Sequence, residues 1–229
     1  MPPMDMNWPP EVVTRFEYTY PWNWRTPYCL TIDDGWTGGN IEPFLIYLAN
    51  ENLIDFTWFA NGTGIRRIRE SDTAMRIVRE RGVEVGYHTM HHPSVVDQRR
   101  NYNRDRWIAD YEEWSEIAKE TYEGLEYLVR PYARAAGGYF SDAFMEMCEE
   151  KGLTAYGWSK DPYVLARGEK IERGDIFLTH FRYSEWKWLQ HIRDLRYNDL
   201  MIPTSIEGMI MGEIVNKQIQ YALWKGLMP

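Results

Sequence analysis

Tyr28-Cys29-Leu30-Thr31-Ile32-Asp33-Asp34-Gly35 is a short apolar run that stops on two carboxylates and a glycine. A run of this kind, bounded by a turn signal, reads as a buried strand. Residues 41–51 follow with Ile41, Phe44, Leu45 and Leu48 at helical spacing, and residues 56–60 read as a second strand. The alternation continues. Ser71 and Asp72 open a helix that Gly82 closes, and residues 83–87 form a strand. Residues 104–122 form a long helix with Trp107, Ile108, Tyr111, Trp114, Ile117 and Ala118 on one face. Further strands are expected at 127–129, 153–158, 176–179 and 200–202, with helices at 141–152 and 184–197 between them. Residues 204–207 fit a capping box that starts another helix. Strand alternating with helix implies a parallel sheet covered by helices, and about seven strands suit a distorted (β/α)7 barrel, an α/β fold in a single domain.

On either side of this core lie an expected extended arm at residues 1–27, rich in proline and aromatics, and an additional amphipathic C-terminal helix within residues 211–229. The catalytic unit is then 28–210. The last helix, apolar through Ile214, Ile219, Leu223, Trp224 and Leu227, packs on its own barrel or makes a homo-oligomer contact. Across the 229 residues, 26 Lys and Arg against 34 Asp and Glu leave a net charge of −8. That balance weighs against a nucleic-acid or anionic-membrane binder. Two cysteines, Cys29 and Cys148, are too few for a disulfide scaffold and read as buried thiols. No stretch is apolar for long enough to span a membrane, and no basic start leads into an apolar run, so a cytoplasmic chain is expected. Aromatics make up 15% of the residues. Trp36, Trp58, Tyr87, Tyr132, Tyr163, Phe181, Tyr183 and Trp186 lie near the polar clusters, where they either stack on sugar rings or belong to the core.

The conspicuous polar residues fall after successive strands: Asp33 and Asp34, then His88, His91 and His92, then Arg130, Asp161 and His180. In a (β/α) barrel the C-terminal strand ends form the active site. Adjacent Asp33 and Asp34 make either a turn cap or a pair that divides cation binding from proton transfer. His88 and His92, four apart, share one side of a helical turn and suit a divalent metal, with His91 pointing elsewhere. One Asp and two His leave an open position, as catalytic zinc sites do. His180 is either a packed residue or a general acid. Arg130 either pairs with a carboxylate or binds an anion.

These pieces occur in the order found in polysaccharide deacetylases, carbohydrate esterase family 4. Thr31-Ile32-Asp33-Asp34-Gly35, His88-Thr89-Met90-His91-His92, Arg130-Pro131-Tyr132, Trp158-Ser159-Lys160-Asp161 and Leu178-Thr179-His180 each resemble one of that family's motifs. The resemblance implies a metal held by Asp34, His88 and His92, with Zn2+ ahead of Co2+, Ni2+ or Mn2+. It implies Asp33 as base, His180 as acid, Arg130 orienting Asp33, and Asp161 anchoring the groups around His180 or Arg130. It places Tyr132, Trp158 and Leu178 at the substrate, and the backbone N–H after Arg130 at the oxyanion. The implied reaction is hydrolytic removal of an N-linked or O-linked acetyl group from an amino sugar or oligosaccharide. The partner expected is therefore a carbohydrate or small acylated substrate, not nucleic acid. Two alternatives are a same-fold hydrolase of a non-carbohydrate amide or cyclic imide, and a catalytically silent carbohydrate-binding relative.

Overall fold

A computed structural model describes residues 8–16, 26–35, 41–51, 53, 55–198 and 201–212. The expected C-terminal helix beyond residue 212 and Trp36 lie outside these residues. The chain runs β1 (Thr26–Asp33), α1 (Glu42–Asn50), β2 (Thr57–Ala60), α2 (Gly62–Arg69), α3 (Asp72–Arg81), β3 (Glu84–Tyr87), α4 (Val95–Asn101) and α5 (Arg104–Thr121). It continues through β4 (Val129–Ala133), α6 (Asp142–Lys151), β5 (Thr154–Ala155), α7 (Pro162–Ala166), β6 (Ile176–His180), α8 (Trp186–Asn198) and β7 (Met201–Thr204).

The strands form one seven-stranded sheet in the order β5-β4-β3-β2-β1-β6, with β7 alongside the first half of β1. Every pairing is parallel. Parallel strands need helical crossovers that cover the sheet, so their side chains are buried on both faces. β2 and β3 are buried at every position. The sheet curls into the expected barrel. Its seam, between β5 and β6, is crossed by bridges from Lys160 to Phe177, from Val13 to Tyr156 and from Arg15 to Asp175.

Local signals explain most boundaries. Ser71 and Ser141 accept hydrogen bonds from Ala74 N and Phe144 N, and Gly82 and Gly152 end their helices in the left-handed region. Each such cap is worth about 1 kcal/mol. The helix α5 buries Trp107, Trp114 and Ala118 as its spacing predicts, but Asp110 is buried on the same face. Trp58, Trp107, Trp114, Tyr28, Phe44 and Phe144 are among the fully buried side chains, each contributing roughly 1.5–3 kcal/mol by leaving water. Both cysteines are free and buried, and burial pushes the Cys148 thiol up to about 12.

Some boundaries differ from expectation. The fourth strand is not 127–129 but Val129–Ala133. Pro131 lies inside it, where the register against β3 slips between Val85–Val129 and Tyr87–Ala133. A proline is tolerated where the ladder is already broken. The fifth strand keeps only Thr154 and Ala155. Thr204 belongs to β7, and it is Ser205 Oγ that accepts from Gly208 N at the start of the helical stretch 206–212. Helices α2, α4 and α7 lie in segments where the sequence analysis expects none. Among the described residues no helix is long and apolar enough to cross a membrane.

Candidate active site

The first motif ends β1. Asp33 is opposite His180 in the β1–β6 register and opposite Phe59 in the β1–β2 register. Residues paired across neighbouring strands share a sheet face, with backbones about 4.8 Å apart. A base and an acid candidate are thereby set side by side. The chain then turns sharply. Among the described residues, the non-glycine residues in the left-handed region are Asp34 (φ 70°), Thr89 (φ 66°) and His92 (φ 47°). Such residues cost free energy and cluster where function over-determines the backbone. At Gly35 (φ 140°) a Cβ would lie 2.7 Å from Gly64 Cα, so the Asp-Asp-Gly sequence demands its glycine.

Asp34 is 1% exposed. Its backbone is pinned by Asp34 N donating to Phe59 O at 3.0 Å and by Trp58 Nε1 donating to Asp34 O at 2.7 Å. His88 Nε2 and His92 Nε2 approach Oδ1 at 3.4 and 3.1 Å. His88 and His92 reach it through left-handed turn residues, not through the helical turn expected from their spacing. His92 N donates to Thr89 Oγ1, which closes that turn. Asp110, reaching over from α5, accepts from Tyr87 Oη at 2.6 Å and Met90 N at 2.5 Å and so braces the loop. His91 lies outside the cluster and pairs with Glu113 at 3.3 Å.

The donor set fits a divalent cation. Asp34, His88 and His92 offer ligand atoms all within 4.8 Å of one another. His88 Nδ1 donates to Arg134 O at 2.9 Å, so Nε2 is the nitrogen that faces Asp34 and is left to bind a cation. Asp34 Oδ1 is buried and accepts no hydrogen bond. Burial raises the Asp34 pKa, but His88 and His92 outweigh it and hold the carboxyl far below the usual range. Burial likewise disfavours charged His88, yet Asp33 and Asp34 raise its pKa above that of free imidazole. The site draws positive charge to the point where the three donors converge. The second oxygen, Asp34 Oδ2, accepts from Arg182 at 2.7 Å.

Asp33 is held by a different arginine from the one expected. Arg130 sits in the first half of β4, toward the opposite end of the barrel, 3.5 Å from Glu84 and 3.9 Å from Glu207. Tyr132 points the same way and donates to Glu207 at 2.8 Å, so neither reaches the site. The residue after Arg130 is Pro131, which has no N–H to offer an oxyanion. Arg134, just past β4 and fully buried, donates to Asp33 Oδ1 at 2.7 Å and Thr31 Oγ1 at 2.8 Å, and to the carbonyls of Tyr156 and Gly157. Its guanidinium lies 4.1 Å from the Phe59 ring centre and 5.7 Å from that of Trp158.

Asp161 also departs from expectation. It caps α7, accepting from Tyr163 N and Val164 N, and receives Trp158 Nε1 at 3.3 Å. His180 is anchored by Glu185, whose carboxylate is 3.0 Å from Nδ1 and also accepts from His180 N and Thr179 Oγ1. Leu178 is opposite Thr31, on the face that carries Asp33 and His180. Of the aromatics near the motifs, Trp58, Tyr87 and Phe181 are buried in the core, Trp186 packs on Phe44 and Tyr47, and Tyr163 is exposed. Trp158 remains beside the site.

Arg134, Glu185, Arg182 and Asp110 are site residues that none of the sequence motifs marks. Arg134-Ala135-Ala136-Gly137 carries a signal, an arginine at the true strand end, but the literal Arg-Pro-Tyr match lies four residues upstream. Nothing in the sequence marks Glu185 or Arg182 beyond proximity to His180.

Comparison with known proteins gives the family and the fold. Residues 25–156 match the sequence model of the polysaccharide deacetylase family, so the chain belongs to that family of hydrolases. A family 4 carbohydrate esterase from Bacillus anthracis is 21% identical, with 82% of this chain and 84% of that chain covered at a TM-score of 0.65. The peptidoglycan deacetylase PdaC from Bacillus subtilis is 14% identical, with 87% and 97% covered at 0.68. A family 4 pseudoenzyme from Bacillus anthracis is 17% identical, with 81% and 65% covered at 0.64. At these identities the likeness establishes the fold. No curated protein searched matches the chain.

Proposed function

We propose that this protein is a metal-dependent deacetylase that hydrolyses the N-acetyl group of an amino sugar. The observation that carries the reading is the placing of Asp33 and His180 side by side across β1 and β6, next to the Asp34, His88 and His92 cluster. Asp34, His88 and His92 would hold a divalent cation, zinc first, which when bound lowers the pKa of water and polarises a carbonyl.

The chain's own residues do the rest. Asp33, fixed by Arg134, accepts the proton of the attacking water. His180, fixed through Nδ1 by Glu185, presents Nε2 and returns a proton to the departing nitrogen. Amide hydrolysis needs this return, because an amine leaves only once protonated. The N–H groups of residues 135–137, in the turn that follows Arg134, are the expected oxyanion donors in place of those after Arg130, since Gly138 N already donates to Ala135 O. Leu178 and Trp158 bound the acyl end of the pocket. The sugar reading draws on the family and on neighbours described as peptidoglycan deacetylases.

The test is release of acetate from N-acetylglucosamine oligomers by the zinc-loaded protein, with small cyclic imides as the competing substrates. Asp33→Asn and His180→Ala should each abolish turnover while leaving zinc bound. Full activity in either variant would remove these assignments. Turnover of the imides alone would move the substrate to the non-carbohydrate class.

A further inference from the structure

The barrel seam between β5 and β6 is closed by a segment that precedes the family match. Val13 N donates to Ala155 O at 2.9 Å and Gly157 N donates to Val13 O at 2.9 Å, so Val13 extends the ladder past β5. Phe16 N donates to Gly174 O at 2.8 Å on the approach to β6. Arg15 pairs with Glu172 at 3.1 Å and Asp175 at 3.5 Å. The opposing chain is shaped to receive this segment. A Cβ at Gly174 (φ 80°) would lie 2.1 Å from Phe16 O, and one at Gly157 would lie 2.4 Å from the Trp8 ring. Both are contacts no side chain tolerates.

Trp8 carries the segment to the site. Its ring meets Trp158 edge-on at 4.9 Å and Phe140 at 5.9 Å, and Nε1 donates to Gly138 O at 3.1 Å. Trp158 in turn flanks the Arg134 guanidinium, which holds Asp33. Gly138 belongs to the turn that follows Arg134. One side chain therefore supports both the Trp158 wall and the turn at residues 136–138. Edge-on aromatic pairs and a hydrogen bond with few alternatives fix position, not only burial.

We infer that residues 8–16 are part of the site and that Trp8 is a positioning residue, which by holding Trp158 and the 136–138 turn sets the size of the acyl group admitted beside Trp158. The activity half of this inference rests on the deacylase reading; the positional half does not. Trp8→Ala frees Trp158 to swing into the space the indole leaves, while Trp8→Phe keeps the ring contacts and loses the bond to Gly138 O.

The full-length, zinc-loaded protein and both variants are compared in two measurements. Amide hydrogen exchange is followed at residues 134–140 and 157–161 against β2 and β3, and kcat and KM are measured on N-acetyl and N-butyryl glucosamine oligomers. In Trp8→Ala, exchange should rise in the two named segments and not in β2 or β3. The acetyl kcat/KM should fall roughly ten- to a hundredfold through misplacement of the pocket walls. The butyryl-to-acetyl ratio should rise, and Trp8→Phe should recover most of both. A uniform rise in exchange with an unchanged acyl ratio would overturn the inference, leaving Trp8 a packing residue. If the wild type cleaves neither sugar, the deacetylase reading fails. The exchange pattern alone then decides whether Trp8 positions these walls.

Discussion

Glu185 grips His180 at both ends of one residue: its carboxylate accepts from the backbone N–H at 2.8 Å and lies 3.0 Å from the ring Nδ1. Thr179 Oγ1 adds a third bond at 3.0 Å. A carboxylate held this way fixes both the tautomer and the ring plane of the imidazole it serves. Removing it should therefore cost more than one hydrogen bond. Glu185→Ala is expected to lower kcat by about 10²-fold or more, within the ~10²–10⁴ typical of a general acid, with little change in KM. Glu185→Gln keeps the shape and loses the charge, so its kcat should fall between wild type and His180→Ala. A wild-type kcat in Glu185→Gln would show that Glu185 only packs.

The same carboxylate makes stability depend on pH. Burial raises the Glu185 pKa, but hydrogen bonds from His180 and Thr179 and the His180 charge outweigh it, so the folded value lies below 4.5. A carboxylate with a depressed folded pKa stabilises the fold above its unfolded pKa and loses that contribution as pH falls through the folded value. Urea unfolding between pH 6 and 3 should therefore show a steeper loss in wild type than in Glu185→Gln. Parallel curves would contradict the assigned direction.

Arg134 and Arg130 make opposite predictions. Arg134 is fully buried, and its loss leaves Asp33 buried without its cation. Breaking a buried pair from one side costs about 3–5 kcal/mol. Arg134→Ala should thus unfold more readily and lose deacetylation, and Arg134→Lys, which lacks the fork that reaches Thr31, Asp33, Tyr156 and Gly157 together, should recover little. Arg130→Ala removes a half-buried contact to Glu84 and Glu207 at the other end of the barrel. It should lower the melting temperature modestly and leave kcat/KM unchanged. Circular dichroism melts beside acetate-release assays separate the two.

What the sequence made legible follows from where its signals are local. The serine caps at Ser71 and Ser141, the terminal glycines and the alternation of strand with helix depend on near neighbours. They foretold the barrel, and the positions of Asp33, Asp34, His88, His92 and His180 followed from strand ends. The arginine and the acid that support Asp33 and His180 depend on tertiary register. The slip between β3 and β4 carries Pro131 inside a strand and moves the strand end from 129 to 133, which takes Arg130 out of the site and brings Arg134 in. Asp161 resembles a motif residue, but its carboxylate is consumed by the N-terminus of α7. The anchor for His180 comes instead from five residues downstream, a contact set by the turn after β6. Asp110 hid on an apolar helix face because its partners, Tyr87 and Met90, are distant in sequence.

Arg182 and Asp110 support the candidate ligands without belonging to them. Arg182 occupies Asp34 Oδ2 and so leaves Oδ1 as the oxygen facing both imidazoles. Asp110 fixes the loop that carries His88 and His92. Groups that orient ligands in this way change metal affinity by roughly 10–100-fold when removed. Arg182→Gln and Asp110→Asn should each weaken zinc in competition with a chromophoric chelator by about that factor. Arg182→Lys should recover part of the loss. Equal affinities would mean that these contacts form without supporting the ligands.

Removing metal tests the ligand cluster without any substrate. Three candidate ligand atoms converge at the buried Asp34 Oδ1, so a cation bound there favours the folded chain over the unfolded one. Ligand at a hundred times its dissociation constant stabilises by about 2.7 kcal/mol. For a domain of this size each kcal/mol is worth roughly 2–4 °C, which predicts a rise of about 5–11 °C on adding zinc to chelator-stripped protein. Asp34→Asn, which keeps the shape and discards the charge, should erase that rise. Arg130→Ala should preserve it, since Arg130 stands at the other end of the barrel. Calorimetry of the stripped protein with and without zinc measures the shift, and a full shift in Asp34→Asn would place the cation somewhere other than this cluster.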